Sequence, residues 1–520
     1  MRRPCLDLIF TWLAALLLAG CASLPPLDGR AESHALGDTG QTRLGRAIAP
    51  GIAAHPGQSG IHALAEPHDA FAARVLLAAS ADRSLDVQYY IWHRDQTGEL
   101  LFEALWQAAE RGVRVRLLLD DANTGGIDPT IAALDAHPNI EVRLYNPFAQ
   151  RSLRLLNFVS DFSRVNRRMH NKSFTADNQA SIVGGRNIGN EYFGAGQQTE
   201  FADLDVLAVG AAVPAISRQF DDYWNSASAY PAASLLGSPG EGAAEGLRAE
   251  FAAARADPES TRYLEALRST RLVQDLLGER LPLEWTRAQL VYDDPAKTLA
   301  QTPQREELLL PALLATIGHP QTELDLVSPY FVPGKPGTES LVALAGRGVR
   351  LRILTNSLAA SDVGAVHAGY AKWREPLLRA GVQLYEFKPT QLNGKKGDKG
   401  SSAAKDSHGS SAALHAKTFA VDRQRIFVGS FNFDPRSALL NTEMGLVIDS
   451  PGMAQRLSGL FDQELRRIAY TVRLAGEGDA LVWTEAGPEG EQQFSVEPET
   501  GWLRRVGIQF LSILPIDWLL

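Results

Sequence analysis

One pattern is written twice in this chain of 520 residues, and it constrains the fold more than any other feature. His170-Asn171-Lys172 is followed after four residues by Asp177, and after six more by Gly184-Gly185-Arg186-Asn187. His415-Ala416-Lys417 leads with the same spacing to Asp422 and then to Gly429-Ser430-Phe431-Asn432. With six specified positions at about one in twenty each, a single copy has a chance frequency on the order of 10⁻⁸ per start. The histidines lie 245 residues apart, so each copy belongs to one half of an internal duplication.

The surrounding sequence repeats at nearly the same offset. Leu85 to Ile91 reads as a strand by its β-branched and aromatic content, Gly98 to Glu110 as a helix, and Val113 to Asp120 as a second strand. The order returns in Leu324 to Phe331, Ser340 to Ala345 and Val349 to Leu354. Asp86 and Asp325 are 239 apart, Arg111 and Arg347 are 236 apart, and Leu144-Tyr145 and Leu384-Tyr385 are 240 apart. Strand, crossover helix and strand, repeated in order, predict two homologous α/β domains. The expected divisions are a first domain over 61–230, a mostly helical linker over 231–300, and a second domain over 301–480. Ahead of them stand a signal at 1–20 and a tether at 21–60, and an apolar tail at 481–520 follows.

The motif's spacing has a chemical meaning. In a strand, residues two apart share a face, so each copy presents an imidazole beside an ammonium. Asp177-Asn178 and Asp422-Arg423 fall at expected turns, with return strands at Ser181 to Val183 and Ile426 to Val428. The glycines permit close backbone approach, and Asn187 and Asn432 supply amide donors. Two such halves brought together would surround a phosphodiester with fixed donors, as phosphoryl transfer requires. One histidine can attack phosphorus while the other protonates the leaving alkoxide. Each imidazole needs a carboxylate to fix its tautomer, and Asp203 and Glu443 lie downstream at comparable places. No metal-ligand cluster, nucleotide loop or cofactor motif is read from the sequence.

These residues resemble the phospholipase D superfamily over most of the chain, from about Leu64 to Arg473. The resemblance implies two phospholipase D-type α/β domains packed face to face around one shared active site. Its catalytic set here is His170, Lys172, Asp177, Asn187, His415, Lys417, Asp422 and Asn432. It further implies His170 as nucleophile, His415 as general acid and base, Asp177 and Asp422 as mainly structural, and Asp203 and Glu443 as orienting the histidines. Two shorter segments, Val291 to Lys297 and Val327 to Gly334, resemble the cardiolipin synthase branch. They imply membrane phospholipids as partners, with a phosphatidyl group moving from phosphatidylethanolamine or phosphatidylglycerol to phosphatidylglycerol. The same residues would serve a hydrolytic phospholipase D releasing phosphatidic acid. A tethered lipid-binding lipoprotein without catalysis is the non-enzymatic alternative.

The N-terminus reads as an address. Arg2 and Arg3 precede a short apolar run from Leu8 to Leu18, too short to span a bilayer. Leu18-Ala19-Gly20-Cys21 then resembles a lipobox, which implies lipidation of Cys21 and a periplasm-facing lipoprotein in the envelope of a Gram-negative bacterium, inner or outer membrane undecided. The chain has two cysteines, Cys5 and Cys21, which excludes a disulfide framework. Its net charge of −9 gives no global positive field, so no nucleic-acid partner is expected. The residues point to no particular accessory protein. Three segments invite lipid contact: the mixed basic and apolar stretch Arg151 to Arg168, the lysines 395, 396, 399 and 405 ahead of the second motif, and the apolar stretch from Trp502 to Leu520.

Overall fold

The computed structural model describes residues 23–196, 200–278, 280–300, 302–389, 412–476, 480–487 and 490–514. The expectations on Cys21, on the signal run, on the lysines before the second motif and on the last six residues lie outside these. Among the described residues no helix is long and apolar enough to cross a membrane.

The first half contains strands β1 (Ser59–Leu64), β2 (Ser84–Tyr89), β3 (Arg114–Asp120), β4 (Ile140–Tyr145), β5 (Ser173–Ala176), β6 (Ala180–Gly184), β7 (Glu200–Ala202), β8 (Asp205–Gly210), β9 (Ala229–Pro231) and β10 (Glu284–Thr286). The second contains β11 (Ala288–Tyr292), β12 (Glu323–Val327), β13 (Arg350–Asn356), β14 (Gln383–Phe387), β15 (Ala412–Leu414), β16 (Lys417–Val421), β17 (Arg425–Gly429), β18 (Met444–Ile448), β19 (Ala469–Ala475), β20 (Ala480–Gly487) and β21 (Gly490–Phe494). The first sheet runs β10-β1-β8-β6-β5-β2-β3-β4-β9, and the second runs β11-β18-β17-β16-β12-β13-β14-β19-β20-β21. Eight strands correspond in the same spatial order, from β1 and β11 to β9 and β19. In each half three central strands are parallel, β2-β3-β4 and β12-β13-β14, and the motif strands add on antiparallel. The duplicated α/β architecture read from the sequence is the observed one.

Parallel neighbours require a crossover, and the predicted helices provide it at Gln96–Glu110 and Gly334–Gly346. Asp95 caps the first of these by accepting from the Gly98 amide at 3.0 Å. Each motif strand reverses through two left-handed residues, Asp177 and Asn178 (φ 53° and 50°) and Asp422 and Arg423 (φ 51° and 55°). Positive φ at both central positions makes a tight turn whose twist suits a hairpin. Asp177 then accepts from the amides of Asp82, Arg83 and Ser84 at 2.7–2.9 Å, and Asp422 from those of Gln321, Thr322 and Glu323 at 2.7–3.1 Å. Each carboxylate thus ties its motif turn to the start of the neighbouring central strand.

The halves meet across an apolar layer. Ile61, Val183, Val206, Ala208 and Ile216 of the first pack against Ala420, Ile426, Val428, Met444 and Leu446 of the second. Short backbone pairings cross the same boundary: β7 runs parallel to β15, and Met169 bridges Thr442.

Three segments depart from their expected character. Residues 23–60 are no free tether: Arg43–Ala54 is a helix, and the Arg30 guanidinium donates to the carbonyls of Asn225, Ser226 and Ala229, which anchors the strap to the body. The linker's helices, Ala243–Ala256 and Pro258–Arg268, bury Leu247, Phe251, Tyr263 and Leu267 in the first core, and its end supplies a strand to each sheet. Residues 481–487 and 490–494, assigned to the apolar tail, extend the second sheet within β20 and β21. Trp483 explains this, being buried with its indole N–H on Glu386 at 2.8 Å.

Candidate active site

The two histidines lie at the junction of the halves, His170 buried and His415 half-buried, and each is held by the opposite half. His170 Nδ1 lies 2.8 Å from Glu443 Oε2, and His415 Nδ1 lies 2.5 Å from Asp203 Oδ2. The backbone repeats the exchange: the His170 amide donates to Thr442 O at 2.9 Å, and the His415 amide to Ala202 O at 2.8 Å. Each histidine therefore pairs with the residue just before its acid. The sequence placed Asp203 and Glu443 as orienting groups, and the structure adds that they act crosswise. Neither half can complete an imidazole–carboxylate pair alone.

Close approach at this point restricts the neighbouring residue. A Cβ on Gly185 would lie 2.2 Å from Asp203 Oδ1, so only glycine fits beside that carboxylate. The matching residue in the second half is Ser430, whose hydroxyl donates to Glu443 Oε2 at 2.5 Å. The pairs therefore differ: a bare aspartate in one, a longer glutamate with a hydroxyl donor in the other.

Both motif lysines are buried, and each ammonium donates to the carbonyl of its own histidine, Lys172 to His170 and Lys417 to His415. Lys417 Nζ also stands 3.1 Å from His415 Nε2. Lys172 lies 5.5 Å from the centre of the Tyr90 ring, whose edge meets His170 at 5.0 Å. On the other side Tyr192 meets His415 edge-on and Phe201 stacks on it, both at 5.1 Å. Asn187 accepts from the Ile91 amide at 3.1 Å and donates to Tyr192 Oη at 3.0 Å, which ties it to the His415 side. Asn432 is buried with an unpartnered Oδ1. Five signature side chains, two histidines, two lysines and Asn187, are thus linked in one site. Asp177 and Asp422, counted above within the catalytic set, stand outside it at the far ends of the motif strands, their oxygens occupied by backbone amides.

Crowded cations in a buried space set the electrostatics. Burial, with Lys417 adding to it, pushes Lys172 down to about 7. Burial pushes Lys417 down to about 8. His170 is held well below its ordinary value by burial and by Lys172, so its imidazole is neutral. Burial also lowers His415, helped by Lys417 and opposed by Asp203. The acids diverge. Burial lifts Glu443 to about 7 against the pull of Lys172. Burial works on Asp203 too, but His415 and then Lys417 outweigh it and hold that carboxyl below the usual range. A neutral imidazole on one side faces an imidazole with a firmly ionised carboxylate on the other. An arriving anion would favour the protonated forms of both lysines and both imidazoles.

Supporting residues extend beyond the motif. Asp293 and Lys297 are fully buried and paired at 2.9 Å, and Asp293 accepts from the Glu443 amide at 2.8 Å while its own amide donates to Glu443 O at 3.0 Å. They belong to the Val291–Lys297 segment that the sequence singled out without a role. In the first half Asp120 binds Arg168 at 3.0 Å and the Met169 amide at 2.8 Å, which fixes the approach to His170. No spacing rule exposes Asp120, Asp293 and Lys297, because they lie 50 or more residues from the nearest motif histidine. Outside the site, His93, Asp95 and Glu191 bring possible ligand atoms within 4.8 Å of one another, a grouping the sequence reading did not find. The Asp95 oxygens there are engaged by Gly98 and Asn190 amides.

Comparison with known proteins agrees with this geometry. The family model described as cardiolipin synthase, PLD-like domain, matches twice, at residues 76–224 and 313–465. The chain is 47% identical to cardiolipin synthase C of Escherichia coli (strain K12) over 92% of this chain and 100% of that one. It is 30% identical to an uncharacterized protein of Helicobacter pylori (strain ATCC 700392 / 26695), over 98% of this chain and 99% of the other. Among solved structures, phosphatidylserine synthase of Haemophilus influenzae Rd KW20 shares the fold, with a TM-score of 0.53 at 13% identity, covering 91% of this chain and 100% of that one. The chain belongs to the phospholipase D-like family of cardiolipin synthases.

Proposed function

We infer that this protein is a phosphatidyltransferase that makes cardiolipin in two displacements through a phosphohistidine. The observation that carries the mechanism is the crosswise pairing of the two histidines with acids of the opposite half. Because both carboxylates occupy Nδ1, Nε2 is the nitrogen each imidazole offers the substrate, that of His415 beside Lys417 Nζ at 3.1 Å. The neutral His170 attacks phosphorus through Nε2, a P–N bond forms, and the P–O bond to the donor headgroup breaks. His415 gives the departing oxygen its proton. The hydroxyl of phosphatidylglycerol then returns a proton to His415 and attacks phosphorus, and the P–N bond breaks to release cardiolipin. Lys172, Lys417, Asn187 and Asn432 offset the phosphoryl charge throughout. Phosphatidylethanolamine is the donor we favour, with phosphatidylglycerol able to serve in its place.

Two apolar projections support a bilayer-facing mouth. In the stretch Arg151 to Arg168 the arginines face acids, Arg151 with Asp121 and Asp128 and Arg168 with Asp120, while Leu155 and Val159 are 82% and 87% exposed. The helix Trp502–Ile513 packs Ile508 onto Leu358 and Ala368 and leaves Trp502, Phe510 and Ile513 outward. Exposed aromatics and leucines of this kind suit the interfacial zone of a membrane. A lipid on Cys21 would hold the body nearby, since the nine residues before the docked Arg30 reach at most about 30 Å. We place the protein in a Gram-negative envelope, facing the periplasm, without choosing a membrane.

The test is turnover by the full-length protein in vesicles of labelled phosphatidylethanolamine with and without phosphatidylglycerol. Cardiolipin whose label requires both lipids is expected. Phosphatidic acid formed regardless of acceptor would replace the synthase with a hydrolase.

A further inference from the structure

The duplicated site is symmetric in its histidines, lysines and asparagines but not at its rim. Each half places a tyrosine just beyond its first central strand, Tyr90 after β2 and Tyr330 after β12, 240 residues apart. Each half also brings a polar residue to that tyrosine from the loop after its next strand. In the first half it is Asn123, whose amide donates to Tyr90 O at 3.2 Å. In the second it is Asp362, 239 residues further on, whose carboxylate accepts from Tyr330 Oη at 2.8 and 3.0 Å. A neutral amide on one rim thus faces a carboxylate on the other.

Asp362 is exposed, and among the described residues no cation pairs with it. Lys417 does not claim it, because that ammonium is bonded to the carbonyl and ring of His415. Its charge nevertheless bears on the site, since it favours the protonated form of Lys417 and disfavours ionisation of Tyr192, the ring set edge-on to His415. Geometry puts Asp362 and Tyr330 on the His415 side: Asn356, at the end of the strand before Asp362, bonds both backbone groups of Leu414 at 3.0 Å, and Phe331 bridges Phe433 next to Asn432. In an in-line displacement by His170 the leaving oxygen departs on the side opposite the nucleophile, which is also the His415 side. An anionic group unpaired at that exit, in a site otherwise built of cations to hold phosphate, has no use for the phosphodiester itself.

We propose that Asp362, positioned by Tyr330, is the recognition site for a cationic departing headgroup, an ammonium carried a short alkyl link from the ester oxygen. This rests on the donor reading above and names the residue that selects the donor. The ammonium pairs with the Asp362 carboxylate and lies near the Tyr330 phenol while the ester oxygen takes its proton from His415. A charge-assisted contact of this kind rejects uncharged headgroups, because a donor without the cation leaves the carboxylate unanswered. The Asn123 rim, where an amide stands in place of that carboxylate, makes no such choice, so the pseudo-symmetric site distinguishes donor exit from the opposite lobe.

The test is a ratio measured on the full-length protein in vesicles: turnover fed by phosphatidylethanolamine over turnover fed by phosphatidylglycerol alone. Asp362→Asn is expected to lower that ratio at least ten-fold, and Asp362→Glu to restore most of it. A separate arm adds free ethanolamine to the reaction with phosphatidylglycerol alone. It should inhibit wild type and inhibit Asp362→Asn at least ten-fold less strongly. If wild type takes no phosphatidyl group from phosphatidylethanolamine, the donor reading fails, while selective inhibition by ethanolamine still upholds the ammonium site. An unchanged ratio, or equal inhibition of both proteins by ethanolamine, would overturn the proposal. A purely structural role for Asp362 would lower both turnovers together and leave the ratio where it was.

Discussion

Replacing Lys172 with methionine should make the empty enzyme more stable while destroying its turnover. An unfolded lysine holds its proton to 10.5, whereas Lys172 in the fold loses it at about 7. At pH 7 the buried ammonium therefore costs the native state roughly 4 to 5 kcal/mol. Between pH 7 and 10.5 the unfolded chain binds more protons than the folded one, so this cost fades as pH rises. Methionine keeps the length of the side chain and removes the charge. It also gives up the bond to the His170 carbonyl, worth about 1 to 3 kcal/mol when the acceptor stays buried. The net expectation is a gain of about 1 to 4 kcal/mol for Lys172→Met at pH 7, shrinking to nothing or reversing by pH 10.5. Urea unfolding of both proteins at the two pH values measures it. Orthophosphate should raise the wild-type midpoint at pH 7 and move the variant much less, because the anion answers a cation that the variant lacks. A variant less stable than wild type at pH 7, or a gain that does not change with pH, would refute the reasoning that this site holds uncompensated positive charge awaiting an anion.

Four further outcomes follow from named contacts. Asp203→Asn should cut turnover by about 10²- to 10⁴-fold with the fold retained, since it removes an ionised carboxylate from His415; Glu443→Gln should cost less at pH 6, where Glu443 is already largely protonated, than at pH 8. Steady-state rates beside circular dichroism at each pH check both. Lys297→Met leaves Asp293 buried without its partner and should cost about 3 to 5 kcal/mol in urea unfolding, much of it recovered when Asp293→Asn is added. Replacing Val159 and Phe510 with serine should weaken vesicle sedimentation by at least ten-fold without altering the unfolding midpoint, because both side chains are outward and about 1.5 to 3 kcal/mol of burial each is forgone.

Much of this molecule was legible in its sequence because duplication doubles every signal. The repeated strands and helices appeared at near-constant offset, and the sheets show eight matching strands in the same order. The motif's period of two put histidine and lysine together, and both pairs meet at one junction with Asn187. What the sequence could not show is which half serves which. Asp203 and Glu443 were recognised as partners of the histidines, but the crosswise pairing is made by β7 beside β15 and by Met169 beside Thr442, contacts spanning more than 200 residues. Asp293 and Lys297 were noticed only as part of a resemblance, since a buried ion pair has no periodicity to betray it. The misread segments share one cause. Gly, Pro and Ala in residues 23–60 suggested slack chain, yet a single arginine, Arg30, and three carbonyls suffice to dock it. In the stretch from Arg151 to Arg168, composition mixed two faces, and only burial separates arginines tied to acids from leucines turned outward.

The central claim is that two halves build one site in which His170 carries the phosphatidyl group and His415 moves the protons. Its most direct measurement is phosphohistidine trapping with donor lipid labelled in its phosphate, on wild type, His170→Ala and His415→Ala, quenched in alkali and mapped by peptide mass. Label should appear on the peptide bearing His170. It should persist longest in His415→Ala, where the acceptor hydroxyl has no base, and vanish in His170→Ala. Label on His415, or a His170→Ala protein that still turns over at the wild-type rate, would contradict the account.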